Sequence, residues 1–189
     1  MIKRIQKIAA SMVLLALSSF VFSAPPTTET APPYIVLSDN LDEPNGYGFC
    51  IDTLSRGKND LMQAHSCKPR DDERPRDSQD NDVRFIYDSD TKQIASHAYE
   101  GMCMQALIAK ARGNISGFAF ALLECSDAPR QKFIYSEDDK TLRLNEDQGI
   151  CIGVEPETKP AGPLVARGLV LAKCEELDPL LKQWKVVPE

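Results

Sequence analysis

The tripeptide Gly-x-Cys occurs three times in this chain of 189 residues, as Gly48-Phe49-Cys50, Gly101-Met102-Cys103 and Gly149-Ile150-Cys151. Successive copies begin 53 and 48 residues apart. Self-similarity at a period of this size is typical of proteins built from structural repeats. We therefore predict three repeats, with approximate bounds of 46–98, 99–146 and 147–189.

The six cysteines are distributed two to a repeat. Within each repeat the second cysteine follows the first by 17, 22 or 23 residues, which gives the pairs Cys50 with Cys67, Cys103 with Cys125, and Cys151 with Cys174. Six cysteines allow 15 connectivities, and the symmetry of the repeats is what favours one disulfide inside each. Such a bridge typically stabilises a fold by about 3 kcal/mol in the chain-entropy model.

A short segment with an aromatic residue closes each repeat, at Val83–Tyr87, Gln131–Tyr135 and Lys182–Val187. In the first two repeats, acidic turn residues follow and an apolar residue, Ile94 or Leu142, returns nine residues after the phenylalanine. These are β-hairpin signals. The third repeat has no such return strand, and an uncovered sheet edge is a liability. We expect the segment Tyr34–Leu37 to cover it, which makes a closed, threefold, all-β domain over residues 34–189.

Two segments lie outside this repeat pattern. Residues 24–33 are rich in Pro and Thr with little to pack, which predicts a flexible tether. Residues 68–82 are rich in charged residues and belong to the first repeat alone, which predicts a solvated insertion. A charged docking loop is the alternative interpretation of that insertion.

The N-terminal 23 residues have the pattern of a secretory signal peptide. Lys3, Arg4 and Lys7 precede an apolar run, and small residues stand before a cleavage site after Ser23. A membrane anchor would need about 20 uninterrupted apolar residues, and Ser18 and Ser19 interrupt this run. We therefore expect a secreted or periplasmic protein with no membrane span after cleavage. The even cysteine count of an exported chain also favours disulfides.

Charge and motif content exclude several function classes. The chain has 22 basic and 28 acidic residues, a formal charge of −6, which becomes −9 after residues 1–23 are removed. General binding to nucleic acid is therefore not expected. None of the common catalytic, phosphate-binding or zinc motifs is present, and there are only two histidines. We expect a binding protein rather than an enzyme, without a metal or cofactor.

The three repeats, the cysteine spacing and the closing aromatic segments resemble the ricin B-type lectins, which are β-trefoils. The resemblance extends from Tyr34 to the C-terminus. The Gln-x-Trp element of that family is nowhere intact, because its two positions hold Val83 with Phe85, Gln131 with Phe133, and Lys182 with Trp184. The resemblance implies an all-β fold of the β-trefoil type, in which these residues belong mainly to the core.

The same resemblance implies a sugar site in repeat one. In these lectins an Asp follows the first cysteine, and a polar residue and an aromatic ring lie on the strand that enters the second. Asp52, Gln63 and His65 occupy those positions, and Asp82 matches an Asn that these lectins add. A carboxylate and an amide suit sugar hydroxyls, while a ring covers the apolar face of a pyranose.

Repeats two and three depart from this pattern. The position of Asp52 is taken by Gln105 and Gly153, and the positions of Gln63 and His65 are taken by Ala121 with Leu123 and by Val170 with Ala172. We therefore predict a single sugar site, without the avidity that linked sites provide.

Two functions remain open at this point. The first is a secreted carbohydrate-binding protein that recognises terminal sugars of glycans or glycoconjugates, of galactose type by the resemblance, through repeat one. The alternative is a degenerate β-trefoil that binds another secreted protein, as the lectin-like delivery subunits of secreted bacterial toxins do. The retained Asp52, Gln63 and His65 favour the first function, and the two altered sites favour the second.

Overall fold

The computed structural model describes residues 24–69, 82–107 and 119–189. The predicted signal peptide, residues 1–23, and most of the charged insertion lie outside the described residues. Among the described residues, no helix is long and apolar enough to cross a membrane. The strands are β1 Tyr34–Leu37, β2 Phe49–Thr53, β3 Met62–Ser66, β4 Phe85–Asp88, β5 Gln93–Ser96, β6 Met102–Ala106, β7 Phe120–Glu124, β8 Phe133–Ser136, β9 Thr141–Leu144, β10 Ile150–Val154, β11 Lys159–Ala161, β12 Leu164–Lys173 and β13 Trp184–Val187.

Twelve of these strands form a β-trefoil, and all of their pairings are antiparallel. Three pairs, β13 with β1, β4 with β5, and β8 with β9, alternate with three hairpins, β2–β3, β6–β7 and β10–β12. Repeats one and two contribute four strands each, β1 completes the set formed by β10, β12 and β13 of repeat three, and β11 of repeat three pairs with β12. The all-β, β-trefoil prediction is confirmed.

The repeats share backbone hydrogen bonds as well as strand order. The amide of the second cysteine in each repeat donates to the carbonyl of the glycine that opens it, at 2.8 Å, in the pairs Cys67 with Gly48, Cys125 with Gly101, and Cys174 with Gly149. Gly48 and Gly101 have φ values of 78° and 74°, a conformation that glycine adopts without steric cost. This explains why a glycine precedes the first cysteine.

One disulfide lies inside each repeat, as the repeat symmetry predicted. The bonds join Cys50 to Cys67, Cys103 to Cys125, and Cys151 to Cys174, with Cα–Cα distances of 4.9–5.0 Å. The hairpins β2–β3, β6–β7 and β10–β12 are here called the cap hairpins. Each disulfide joins the first strand of a cap hairpin to the residue that directly follows its second strand. No described cysteine is free.

The core is built around the aromatic residue that begins each closing strand. Phe85, Phe133 and Trp184 begin β4, β8 and β13 and belong to a single buried cluster. Trp184 Nε1 donates to the Ile152 carbonyl at 2.9 Å, so its polar atom is satisfied inside the core. Tyr135 links neighbouring repeats because its hydroxyl donates to the Trp184 carbonyl at 2.9 Å.

Strand β1 lies at the edge that the third repeat leaves open. It pairs with β13 over all four residues, from Tyr34 opposite Val187 to Leu37 opposite Trp184. This pair corresponds to the β4–β5 and β8–β9 pairs of the other repeats. The third pair therefore joins two strands that are far apart in the chain.

Residues 24–33, here called the N-terminal strap, lie against the domain rather than forming the tether predicted from their composition. The Thr27 amide donates to the Gly46 carbonyl at 2.7 Å, and the Thr28 hydroxyl donates to the Tyr47 carbonyl at 2.8 Å. Thr30 is buried and its hydroxyl donates to the Lys68 carbonyl at 2.6 Å. The prediction failed because loop carbonyls of repeat one supply partners that composition does not reveal.

Replacing Thr30 by Val will show whether the strap contributes to stability. The variant keeps the shape of the side chain and removes a buried hydrogen bond, so we expect the free energy of unfolding to fall by about 1 kcal/mol. Thr27→Val is the matched control because its hydroxyl is exposed, and we expect a change below about 0.5 kcal/mol. Urea unfolding of the oxidised chain measures both. An unchanged Thr30→Val variant would mean that the strap is a tether after all.

Candidate functional site

The residues that the sequence alignment of the repeats matches with one another lie in equivalent cross-strand pairs of the three cap hairpins. Each such cross-strand pair is here called a rung. In repeat one, Asp52 pairs with Gln63 and Cys50 pairs with His65. The equivalent pairs are Gln105 with Ala121 and Cys103 with Leu123 in repeat two, and Gly153 with Val170 and Cys151 with Ala172 in repeat three. The strand register and the sequence therefore give the same alignment of the three repeats.

A cleft of about 800 Å³ lies beside the β2–β3 hairpin of repeat one. Its walls are residues 52–56, three residues of β3, residues 68–69, residues 159–164 and residues 166–168. Asp52, Gln63 and His65 all line this cleft, whereas Asp82 is not part of its walls. The structure thus brings three of the four predicted site residues to one cavity.

Lys68 joins Asp52 and Asp82 in a buried ion cluster that sequence reasoning missed. Its Nζ lies 3.3 Å from Asp52 Oδ2 and also donates to Asp82 Oδ1. The two aspartates are each 1% exposed, and Lys68 is 6% exposed. Asp52 Oδ1 accepts a hydrogen bond from the Thr53 amide at 2.7 Å. Asp82 therefore acts on the cleft through Lys68.

The ion cluster contains both ends of the predicted solvated insertion, residues 68–82, of which residues 70–81 lie outside the described residues. Lys68 and Asp82 are the two ends of that segment, and both are buried. Their ion pair holds the ends together beneath the cleft. A charge run in a sequence usually indicates a solvated surface, and nothing local distinguishes the two charged residues that turn inward.

Burial in this cluster raises the pKa of both aspartates. Burial, followed by the negative charge of Asp82, raises the pKa of Asp52 to about 7, although Lys68 acts in the opposite direction. Burial also raises the pKa of Asp82, against the effects of Lys68 and Arg56. Arg56 Nε lies 3.6 Å from Asp82 Oδ2, and its side chain is about half exposed. Desolvation disfavours the charged form of a carboxyl, which explains the direction.

His65 is a buried side chain instead of a free ring. Its Nδ1 lies 2.9 Å from the Ser66 carbonyl, and its backbone pairs with Ala166 of β12. Its side chain is 9% exposed. Burial lowers the pKa of this imidazole, so it is neutral near pH 7. The ring predicted as a stacking platform therefore has little surface open to the cleft.

Gln63 is the most accessible of the three predicted cleft residues. It is half-buried, and its Nε2 lies 3.5 Å from the Thr53 carbonyl. Alternation along a strand places it on the same side as His65, and both residues line the cleft. An amide here offers both a donor and an acceptor to a polar ligand.

The second wall of the cleft comes from repeat three and was not predicted. Strand β12 has ten residues, against five in β3 and in β7. Its residues Ala166–Gly168 pair with His65–Gln63 of β3, while β11 folds back on Leu164–Ala166. Gly162 and Pro163 give a turn signal between these strands, but their pairing with repeat one is a tertiary contact that no local pattern reveals.

Arg167 fixes the β11–β12 hairpin to the domain. This residue is 3% exposed and its guanidinium donates to Asp42 and, at 2.7 Å, to the Glu155 carbonyl. It also lies over the Phe49 ring at 5.1 Å from the centroid, a favourable cation–π arrangement. Ser66 Oγ donates to the Val165 carbonyl at 3.2 Å. The second wall is therefore held at several points.

The equivalent places in repeats two and three are filled by their own side chains. In repeat two the Gln131 amide donates to Gln105 Oε1 at 3.1 Å and to the Glu124 carbonyl at 2.8 Å. In repeat three a Cβ added at Gly153 would lie 2.9 Å from both Leu177 Cδ1 and the Leu181 carbonyl. Neither rung leaves the polar opening that repeat one has.

Within the described ranges, no group of three or more His, Cys, Asp or Glu side chains is placed to hold a metal ion. Asp52 and Asp82 have a lysine ammonium between them, so positive charge is already supplied there. The chemistry of the cleft is that of hydrogen bonding: a carboxylate, an amide and ammonium or guanidinium donors next to apolar proline and leucine side chains.

No protein-family model matches the sequence, and no curated protein matches it either. Several solved structures are similar. The C-half of an earthworm R-type lectin, solved with GalNAc, is 13% identical with a TM-score of 0.55, over 84% of this chain and 100% of the lectin chain. The β-trefoil lectin of the Vibrio vulnificus hemolysin/cytolysin, solved with N-acetyl-D-lactosamine, is 10% identical with a TM-score of 0.52, over 83% and 93% of the two chains.

The cytolethal distending toxin of Actinobacillus actinomycetemcomitans is also similar. A chain of that toxin is 18% identical with a TM-score of 0.52, over 82% of this chain and 90% of the toxin chain. At these identities the likeness concerns the fold. The structures that this chain is similar to are β-trefoil lectins and toxin chains, and the chain has the β-trefoil fold.

Proposed function

We propose that this protein is an exported glycan-binding protein with one site, in the repeat-one cleft, that recognises terminal sugars of galactose type. One observation carries the proposal. Asp52, Gln63 and His65, which the lectin resemblance selected from sequence, line one cavity, while the equivalent rungs of the other two repeats are filled.

The floor of the cleft has groups that suit sugar hydroxyls. An ionised carboxylate offers about four acceptor positions, more than the Thr53 amide and the Lys68 ammonium occupy on Asp52. The Gln63 amide adds a donor and an acceptor beside it. Gln63 would contact the sugar directly, and Asp52 would meet it at the floor of the cleft, where 1% of this residue is exposed. Asp82 would hold Lys68 in place, and His65, which pairs with Ala166, would hold β12 beside the cleft.

The apolar part of the cleft differs from an aromatic platform. Among the described residues that line it there is no Trp, Tyr or Phe, and the lining instead includes Leu54, Pro160, Pro163 and Leu164. Proline and leucine C–H groups contact the apolar face of a pyranose through dispersion alone, which is weak for each atom pair. A single site of this kind, without avidity, supports a weak lectin rather than a tight one.

Export is part of the proposal. Three intra-repeat disulfides persist in oxidising compartments such as the periplasm and the cell exterior. The signal-peptide pattern of residues 1–23 supports the same location. Galactose-type probes are the first choice because the earthworm and Vibrio lectins of the same fold were solved with GalNAc and N-acetyl-D-lactosamine.

A second candidate function is that of an accessory subunit that binds another secreted protein of a toxin or enzyme complex. Leu54 favours it, because this residue is 38% exposed at the edge of the cleft and an apolar side chain there suits a peptide segment. The likeness to a chain of cytolethal distending toxin also favours it. The glycan-binding experiment separates the two candidates.

Replacing Asp52 by Asn tests the proposed site directly. The variant keeps the size of the side chain and removes the carboxylate, so we expect at least a tenfold loss of affinity for N-acetyllactosamine, because hydrogen bonds to a charged group contribute about 1.5–3 kcal/mol. Calorimetry on the oxidised chain measures it. Gln105→Ala, on the equivalent rung of repeat two, is the matched control and should bind like the original.

A folded, oxidised protein that binds no glycan on an array of galactose-, N-acetylgalactosamine-, glucose- and mannose-terminated chains would contradict the lectin proposal. It would leave the protein-binding function as the conclusion. Equal losses in Asp52→Asn and Gln105→Ala would place the sugar outside the repeat-one cleft.

Glycan affinity should fall as the pH falls below 7. The pKa of Asp52 is about 7, so at pH 5.5 only a few per cent of the molecules hold the carboxylate. If that form alone binds, affinity should be up to about thirtyfold lower at pH 5.5 than at pH 8. Titrations at both pH values check this, and Asp52→Asn should remove the difference. An affinity that is independent of pH would exclude Asp52 as the acceptor.

The same shift has the opposite sign for stability, which separates weak binding from unfolding. The folded pKa of Asp52 lies above its ordinary value of 3.8, so the native state holds this proton more tightly than the unfolded chain does. The contribution is fully present below about pH 4 and is lost as the pH rises through about 7. Acidification to pH 5.5 therefore does not cost stability at this carboxyl.

A further inference from the structure

We propose that the site binds a chain of two or more sugar rings, with one ring on Asp52 and Gln63 of repeat one and the next against the β11–β12 hairpin of repeat three. This inference rests on the proposed glycan-binding function and specifies its ligand. It makes the hairpin the element that determines specificity for chain length.

The hairpin lies beside one site. In the described part of the chain, which leaves out residues 70–81 and 108–118, no strand of repeats one and two corresponds to β11, and β12 is twice as long as β3 or β7. Gly168 of β12 pairs with Gln63, so the hairpin begins at the rung of the predicted site. From there to Leu164 are four residues, which span about 13 Å at about 3.3 Å per residue. A wall of that length extends past a single sugar ring.

The hairpin is a fixed wall rather than a mobile cover. Arg167 ties β12 to Asp42, to the Glu155 carbonyl and to the Phe49 ring, and Thr158 Oγ1 donates to Asp42 Oδ2 at 3.1 Å. The contacts of Ser66 and His65 hold its other side. A ligand that enters therefore meets a preformed surface, and preorganised surfaces reduce the entropic cost of binding.

The composition and size of the cleft favour a chain over a single ring. Cavities of about 300–1,000 Å³ accommodate ligands of drug size, and this one, at about 800 Å³, lies in the upper part of that range. Its apolar surface is spread over Pro160, Pro163, Leu164 and Pro69 instead of being concentrated in one aromatic ring. Because each of these contacts is small, binding strength must come from several of them, along more than one sugar ring.

The experiment measures how affinity depends on chain length. Methyl β-galactoside, N-acetyllactosamine and lacto-N-neotetraose share the same terminal β-galactose and contain one, two and four rings. We expect the oxidised chain of residues 24–189 to bind lacto-N-neotetraose at least tenfold more tightly than methyl β-galactoside. Calorimetry or ligand-observed NMR measures both affinities.

Two variants locate the source of that gain. Pro160→Ala combined with Pro163→Ala removes two exposed proline rings from the wall and keeps Gly162 and the strand pairing. We expect the gain from chain length to fall below threefold, because lacto-N-neotetraose loses more affinity than methyl β-galactoside does. Pro156→Ala is the matched control, because Pro156 is exposed in the same repeat but does not line the cleft, and it should retain the full gain. Thermal unfolding verifies that the variants are folded.

The outcomes distinguish this inference from the function on which it rests. Equal affinity of the original protein for all three probes, with Asp52→Asn still abolishing binding, would overturn the chain-length inference and leave the lectin function intact. A full chain-length gain in the double variant would also overturn it. Absence of binding to every probe would overturn both.

Discussion

The whole β-trefoil depends on three aromatic side chains that meet in one core. Phe85, Phe133 and Trp184 begin the closing strands of the three repeats and belong to one buried cluster. Each large ring supplies a substantial part of the apolar surface that a small domain can bury. The β1–β13 pair brings Trp184 into this cluster, so the core requires all three repeats at once. Positions on the outer faces of the cap hairpins do not belong to this core cluster, and their residues differ among the repeats.

The parts of the fold that sequence predicted are those encoded by short patterns. The Gly-x-Cys repeats identified the cap hairpins and their disulfides, because a glycine before the first cysteine and a second cysteine 17, 22 or 23 residues later are local features. The acidic turn residues after Phe85 and Phe133 and the apolar residue that returns after each turn predicted two hairpins, in which Tyr87 lies opposite Ile94 and Tyr135 lies opposite Leu142.

The parts that sequence missed are contacts between segments far apart in the chain. Thr30 and Lys68 are buried because their partners lie 38 and 14 residues away, respectively. Arg167 is buried, and its guanidinium donates to Asp42, which lies 125 residues away in the chain. Composition assigned the regions of Thr30 and Lys68 to solvent because Pro, Thr and Lys are mostly surface residues, and no sequence pattern made a prediction for Arg167. For the candidate site, the sequence therefore predicted the floor residues and their repeat, but not the ion cluster beneath them or the second wall.

The three repeats fill the same structural position in three different ways. Repeat two joins its rung to the closing segment through two neutral amides, Gln105 and Gln131, and repeat three fills its rung with leucine. Repeat one instead buries Asp52, Lys68 and Asp82. Burying charges is costly, and well-packed neutral residues often serve stability equally well or better. Since the neutral solutions support the same fold twice in this chain, folding does not require the charges of repeat one. These charges lie at the repeat-one cleft, and the glycan-binding function proposed for that cleft gives them a role that folding does not.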